Sequence, residues 1–219
     1  MKYYIINWDY DNFEVIGHNP QVTLKKGYNP DLEDRIWKVR HFFFPNFIPD
    51  VELKLHKKAK RTNFIERNDT YFGMFVDFKF KDVLKMFNLP PHAFYPLKVY
   101  HKGELLDYYW FHYISDTSKY IDVKKSSAQI FKKFEFKIES IVNIIDLGNI
   151  DDYEKSLPRQ KELILDKVFF NKDFPNYDVF DIRKVGYSGH LISEPLLNAL
   201  QKAGMTGFTA IPYDKIICE

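Results

Sequence analysis

The chain has 219 residues, 45% of them apolar and 28% charged, with a formal net charge of +2. These values exclude a disordered or collagen-like chain and predict a single domain, residues 1–219, large enough to bury a substantial core. The near-neutral balance and the lack of any nucleic-acid-binding signature argue against DNA or RNA as a partner, and no run of about 18 apolar residues is present to span a bilayer.

Aromatic residues make up 18% of the chain, as 15 Tyr, 21 Phe and 3 Trp. A core built of large side chains, an aromatic binding surface and a compositional bias are three sources for that share. The single cysteine, Cys218, has no internal partner for a disulfide, and the N-terminal apolar run is too short for a signal-peptide core. A cytoplasmic protein is the expectation.

The opening KYYIIN (2–7) reads as a β-strand closed by polar residues. From Asp9 to about Pro49 the pattern weakens and is the least regular of the chain, with turns marked by Pro20, Pro30, Pro45 and Pro49. VELKL (51–55) alternates as a half-exposed strand does, and the basic run ELKLHKKAKR (52–61) reads as a solvated loop or edge strand. AFYPLKVYH (93–101) and LLDYYWFHYI (105–114) flank KGE as a hairpin, which places His101 and His112 to face each other across it. KYIDVKKSSAQIFKKF starts extended and is expected to turn helical after Asp122. KFEFKIESIVNIID (133–146), KELILDKVFF and YDVFDIRKV supply further strands.

The closing stretch LISEPLLNALQKAGMTGFTAIP (191–212) predicts a strand, a helix and a strand. Ser193 stands at the N-cap, Pro195 in the first turn, and Leu196, Leu197, Leu200 and Ala203 form a stripe at helical spacing. Gly204 follows at C′, where a left-handed backbone is expected. The same plan occurs at 73–96, which aligns without a gap on 189–212: Asp77 falls on Ser193, Leu84 on Leu200 and Pro96 on Pro212. An internal repeat of strand, helix and strand is therefore predicted. The fold class is α+β, an antiparallel or mixed sheet with few helices, including these two similar units.

Candidate chemistry is sparse. The seven histidines show no metal-ligand spacing, so no metal site and no cofactor is expected. Asp151 and Asp152 fall in loop-like sequence, where carboxylates are solvated. GYSG (186–189) resembles a serine-hydrolase elbow only in part, because the helix that should follow the serine is capped further on by Ser193. In DYYWFHYI, Tyr108, Trp110, His112 and Ile114 share one strand face. Either the sheet is covered on both sides, or one aromatic row is exposed and serves as a protein-binding anchor.

The closing pattern, with Ile192, Ser193, Glu194, Ala203, Gly204, Thr206, Gly207 and Phe208, resembles polymorphic-toxin immunity protein family eleven of bacteria. TNFI (62–65), YYWFHYI and YIDVKKS (120–126) are similar as well, so the resemblance spans about 51–212, and Asn63 stands where the family pattern carries Asp. The resemblance implies an antitoxin that binds and neutralises a cognate protein toxin without catalysis. On that reading Tyr108, Trp110 and His112 are the anchor candidates, and the acidic Asp146, Asp151 and Asp152 steer a basic toxin. An enzyme with a dispersed site, and a peptide- or carbohydrate-binding module with exposed aromatics, remain alternatives.

Overall fold

The computed structural model describes residues 1–67, 72–148, 150–182 and 190–217. In chain order the elements are β1 (Tyr3–Trp8), α1 (Phe13–Ile16), β2 (Val22–Leu24), β3 (Glu52–Leu55), β4 (Phe64–Ile65), β5 (Met74–Asp77), α2 (Phe78–Leu84), β6 (His92–His101), β7 (Glu104–Tyr113), β8 (Ser127–Lys132), β9 (Lys137–Asn143), α3 (Ile150–Ser156), β10 (Lys161–Lys167), β11 (Val179–Phe180), β12 (His190–Ser193), α4 (Glu194–Lys202) and β13 (Phe208–Pro212). Single 3₁₀ turns lie at Ile36–Lys38, Ser118–Tyr120 and Ile144–Leu147. The strands form sheets in the orders β2-β3-β6-β7-β5-β4, β11-β12-β1-β13 and β10-β8-β9. All pairs are antiparallel except β3 with β6, so the fold is α+β with antiparallel and mixed sheets.

The two strand–helix–strand units are alike in detail. The Asp77 carboxylate accepts from the Phe80 amide to start α2, and the Ser193 hydroxyl accepts from the Leu196 amide to start α4. In neither unit do the two strands pair directly; a third, antiparallel strand runs between them. In the first unit that strand is β7: Met74, Phe75, Val76 and Asp77 oppose Phe111, Trp110, Tyr109 and Tyr108. In the second it is β1: His190, Leu191, Ile192 and Ser193 oppose Ile6, Ile5, Tyr4 and Tyr3. On the other side residues 92–96 run against 113–109 as 208–212 run against 8–4, and Pro96 faces Tyr109 as Pro212 faces Tyr4. Even the short edge strands correspond, since Phe64 opposes Val76 as Val179 opposes Ile192. The central strand follows the first unit in the chain but precedes the second.

Stacking of these sheets explains the hydrophobic pattern. Leu84 of α2 and Leu196, Leu197 and Leu200 of α4 lie between the six-stranded and four-stranded sheets, with Ile6, Met74, Val76, Phe80 and Phe111. The far face of the six-stranded sheet, with Val22, Leu53, Phe75, Val99 and Trp110, is covered by Ile36 and Val39. The far face of the four-stranded sheet, with Tyr3, Phe180 and Leu191, packs on Ala128, Ile130, Leu163 and Leu165 of the three-stranded sheet. Residues 110–113 of β7 and all of β12 are therefore buried on both faces.

Two glycines of the closing pattern meet different needs. Gly204 takes φ +67 after α4, in the left-handed region, with open space where a Cβ would stand. Gly207 takes φ +93, and a Cβ there would lie 2.1 Å from the Phe64 carbonyl oxygen. It lets the turn before β13 touch β4, whose Phe64 amide donates to the Thr206 carbonyl.

Several expectations give way. The segment after Asp122 is not helical but forms β8, because Ala128 and Ile130 alternate into the core with period two. His101 and His112 sit at opposite ends of the β6–β7 hairpin, opposite Glu104 and Ala93, because the turn is only Lys102 and Gly103, both at positive φ. Asp151 and Asp152 lie on α3 rather than in a loop. The sequence GYSG and Cys218 lie outside the described residues.

Candidate functional site

Residues 28–50 carry aromatic side chains without helical or strand period, interrupted by Pro30, Pro45 and Pro49. Prolines keep the segment out of regular structure, and side-chain clamps hold it instead. The Tyr28 hydroxyl donates to the Asp50 carbonyl at 2.7 Å and accepts from the Ile36 amide at 3.3 Å. Arg35 Nη1 donates to Asp50 Oδ2 at 2.5 Å, and its guanidinium lies over the Tyr28 ring. Lys98 reaches the other Asp50 oxygen at 2.7 Å. Burial raises the Tyr28 phenol above its ordinary pKa, as a wedged hydroxyl requires.

These clamps sink Ile36 and Val39 into the core and leave Trp37, Phe42, Phe43, Phe44 and Ile48 exposed. Phe43 is 72% and Ile48 is 70% exposed. Below them His41 stacks on Phe42 and Phe72, and Phe44 meets His112 edge-on. The loop is thus an aromatic shelf fixed to the six-stranded sheet.

Its second attachment is a polar cluster at the seam between the two units. His41 Nε2 lies 3.5 Å from Asp181 Oδ2, just beyond β11. The Tyr113 hydroxyl donates to Asp181 Oδ1 at 2.5 Å and stands 2.5 Å from His190 Nδ1, which is itself 3.1 Å from Asp181 Oδ1. Arg67 Nη1 is 3.3 Å from His190 Nε2. A guanidinium only donates, so Nε2 accepts and the imidazole proton sits on Nδ1, facing the phenol and the carboxylate. Burial favours that neutral imidazole by lowering the His190 pKa, against the pull of Asp181. Burial also pushes the Tyr113 phenol well up. For Asp181 burial opposes ionisation, but the hydrogen bonds from His190, His41 and Tyr113 outweigh it and hold the carboxyl well below the usual range. The backbone on either side is pinned too, with the Asp181 amide donating to Ser115 Oγ at 2.8 Å and Thr117 Oγ1 to the Asp181 carbonyl at 2.7 Å.

The matching place in the first unit shows what this arrangement adds. There Glu66 follows β4 as Asp181 follows β11, and its amide meets Gln21 Oε1 at 3.3 Å as the Asp181 amide meets Ser115. Glu66 Oε2 is taken by the backbone amides of Gln21 and Val22, at 2.7 and 3.1 Å. Trp8 and Met74 occupy the registers of Tyr113 and His190. The first unit uses its carboxylate to fasten backbone; the second turns its carboxylate toward titratable side chains and the aromatic shelf.

The anchors expected on β7 are not at the surface. Tyr108 packs against the core with its hydroxyl donating to the Thr62 carbonyl, while Trp110 and His112 are fully buried. His112 Nε2 donates to the His41 carbonyl at 2.9 Å, and burial lowers its pKa. Around them the sheet is covered on both sides because residues 28–48 fold over it, so Tyr108, Trp110 and His112 support the shelf from beneath. Asp146 is exposed and accepts from Asn143 Nδ2 at 3.1 Å; Asp152 is exposed and pairs with Lys155 at 3.6 Å. The Asp151 side chain lies outside the described residues. The shelf residues and Asp181 did not emerge from the sequence, although HFFFPNFIP (41–49), an apolar run that proline bars from both helix and strand, is the signal for the first. Among the described residues no group of His, Cys, Asp and Glu is arranged to hold a metal ion, and no helix is long and apolar enough to cross a membrane.

Compared with known proteins, the chain matches no family model and no curated sequence.

Proposed function

We propose that this chain is a non-catalytic binding protein of the immunity type, which neutralises a cognate bacterial toxin by covering it. The observation that carries the reading is the aromatic shelf: Trp37, Phe43 and Ile48 stand in water on a loop fixed by Arg35–Asp50, Tyr28 and His41–Asp181. Apolar side chains held rigidly in water cost little further ordering when a partner covers them, and aromatic anchors dominate binding energy in protein interfaces. The resemblance of residues 51–212 to immunity family eleven supplies the kind of partner. Exposed Asp146 and Asp152 add long-range attraction for a basic toxin. Neutralising a toxin active at low copy number asks for nanomolar affinity, about −12 kcal/mol.

Co-expression tests the proposal. The chain is expected to rescue cells from the toxin encoded beside it, and Phe43→Ser combined with Trp37→Ala is expected to abolish rescue while the melting temperature stays unchanged. Full rescue by that double variant, or turnover of a small molecule by the purified chain with no neighbouring product bound, overturns it.

A further inference from the structure

The β8–β9 hairpin carries a second apolar surface, separate from the shelf. Among the described residues β9 pairs only with β8, at the edge of its sheet, so its outer row of amides and carbonyls faces outward. Its pairing slips at Glu139: Phe131 opposes Ile138, Ile130 opposes Ser140 and Gln129 opposes Ile141. Phe131 and Gln129 share a face of β8, so this bulge places Ile138 and Ile141 on one face, where plain alternation would separate them. They are 50% and 62% exposed, beside half-buried Phe131 and Ile164. Glu139 turns the other way, to Lys161 at 2.5 Å and Lys132 at 3.6 Å, which takes its charge off the apolar face. Phe134 and Phe136 at the hairpin tip and Ile145 beyond β9 are exposed as well.

We propose that β9 pairs antiparallel with β9 of a second copy of this chain, joining two three-stranded sheets across a two-fold axis. The pattern is self-complementary in one register. Setting Ile138 opposite Ile141 of the second copy sets Ile141 opposite Ile138 by symmetry, so four isoleucines form one row. The same register brings the hairpin tip, with Phe134, alongside Ile145 of the second copy. An isologous contact needs a patch that complements itself, and an open strand edge is met by another strand edge. An unrelated strand would satisfy the backbone equally well, but the matched isoleucines and the Phe134–Ile145 match single out a second copy. This assembly does not depend on the toxin-binding reading.

Sedimentation velocity on the full chain tests it. A species of twice the 26.3 kDa chain mass is expected at about 100 µM, dissociating on dilution. The Ile138→Lys/Ile141→Lys variant is expected to stay monomeric with an unchanged melting curve, since both side chains are exposed. The register is read separately in a Cys218→Ser background: an equimolar mixture of Ile138→Cys and Ile141→Cys chains is expected to form disulfide-linked dimers under mild oxidation, severalfold more than either chain alone. A monomeric wild type, a lysine variant that still dimerises, or a mixture that crosslinks no better than its components overturns the proposal.

Discussion

Replacing Tyr113 by Phe removes one buried oxygen from the seam cluster and leaves the ring packing with Phe111 in place. That hydroxyl donates to an ionised carboxylate, a class of hydrogen bond that contributes about 1.5–3 kcal/mol. His190 Nδ1–H still serves Asp181 Oδ1, so the loss is partly offset and about 2 kcal/mol is expected. For a chain of this length that corresponds to roughly 4–8 °C in melting temperature. The pH dependence identifies the mechanism. A carboxyl depressed in the folded state contributes stability that is present above its unfolded value of 3.8 and is lost as pH falls through the folded value. The difference between wild type and Tyr113→Phe is therefore expected to hold steady from pH 7 down to about the unfolded value of 3.8 and to shrink as the solution is acidified below it. Urea unfolding at a series of pH values measures it. A loss below about 0.5 kcal/mol, or one that stays constant down to acid, refutes the assignment of the proton to the Tyr113–Asp181 bond.

Four further outcomes follow from the packing. Asn63→Asp replaces an amide that donates to Asp77 Oδ2 at 2.8 Å by a second carboxylate; since burial already raises the Asp77 pKa, a loss of about 2–3 kcal/mol is expected at pH 7, recovering on acidification as the pair takes up a proton, as thermal melts at pH 7 and 4.5 will show. Gly207→Ala is expected to cost more than about 3 kcal/mol and Gly204→Ala about 1 kcal/mol, both by urea unfolding, because both have positive φ but only Gly207 meets backbone where the Cβ would stand. Tyr213→Phe is expected to stabilise by about 1 kcal/mol, since its buried hydroxyl has no hydrogen-bond partner among the described residues. Burial raises that phenol to about 12, so wild type also loses stability above pH 10 as the unfolded phenol ionises, and the variant's advantage should widen there in melts from pH 8 to 11.

The strand–helix–strand units were legible because their signals are local. Ser193 and Asp77 as caps, the leucine stripe and Gly204 each act within one turn of helix, and composition alone shows them. The insertion of β1 between β12 and β13 was not, because that pairing joins the two ends of the chain and no local residue marks it. Of the two readings of β7 the covered sheet holds, but the sequence did not decide it, because the cover by residues 28–48 over Trp110 rests on side-chain clamps between Tyr28, Arg35 and Asp50 rather than on any period. The seam cluster was equally hidden: His41, Arg67, Tyr113, Asp181 and His190 come from five separate stretches, and only folding brings them within hydrogen-bonding range. β8 was misread because a six-residue strand with two inward positions gives too short a pattern to separate period two from a helical turn.

The central claim is that the shelf at residues 36–48 is the surface a toxin covers. Hydrogen exchange followed by mass spectrometry, on the free chain and on its complex with the toxin encoded beside it, reads this directly. The account predicts strong added protection for peptides covering 36–48 and little change in residues 110–113 of β7, which are already buried on both faces. Protection elsewhere with 36–48 exchanging as in the free chain would contradict it.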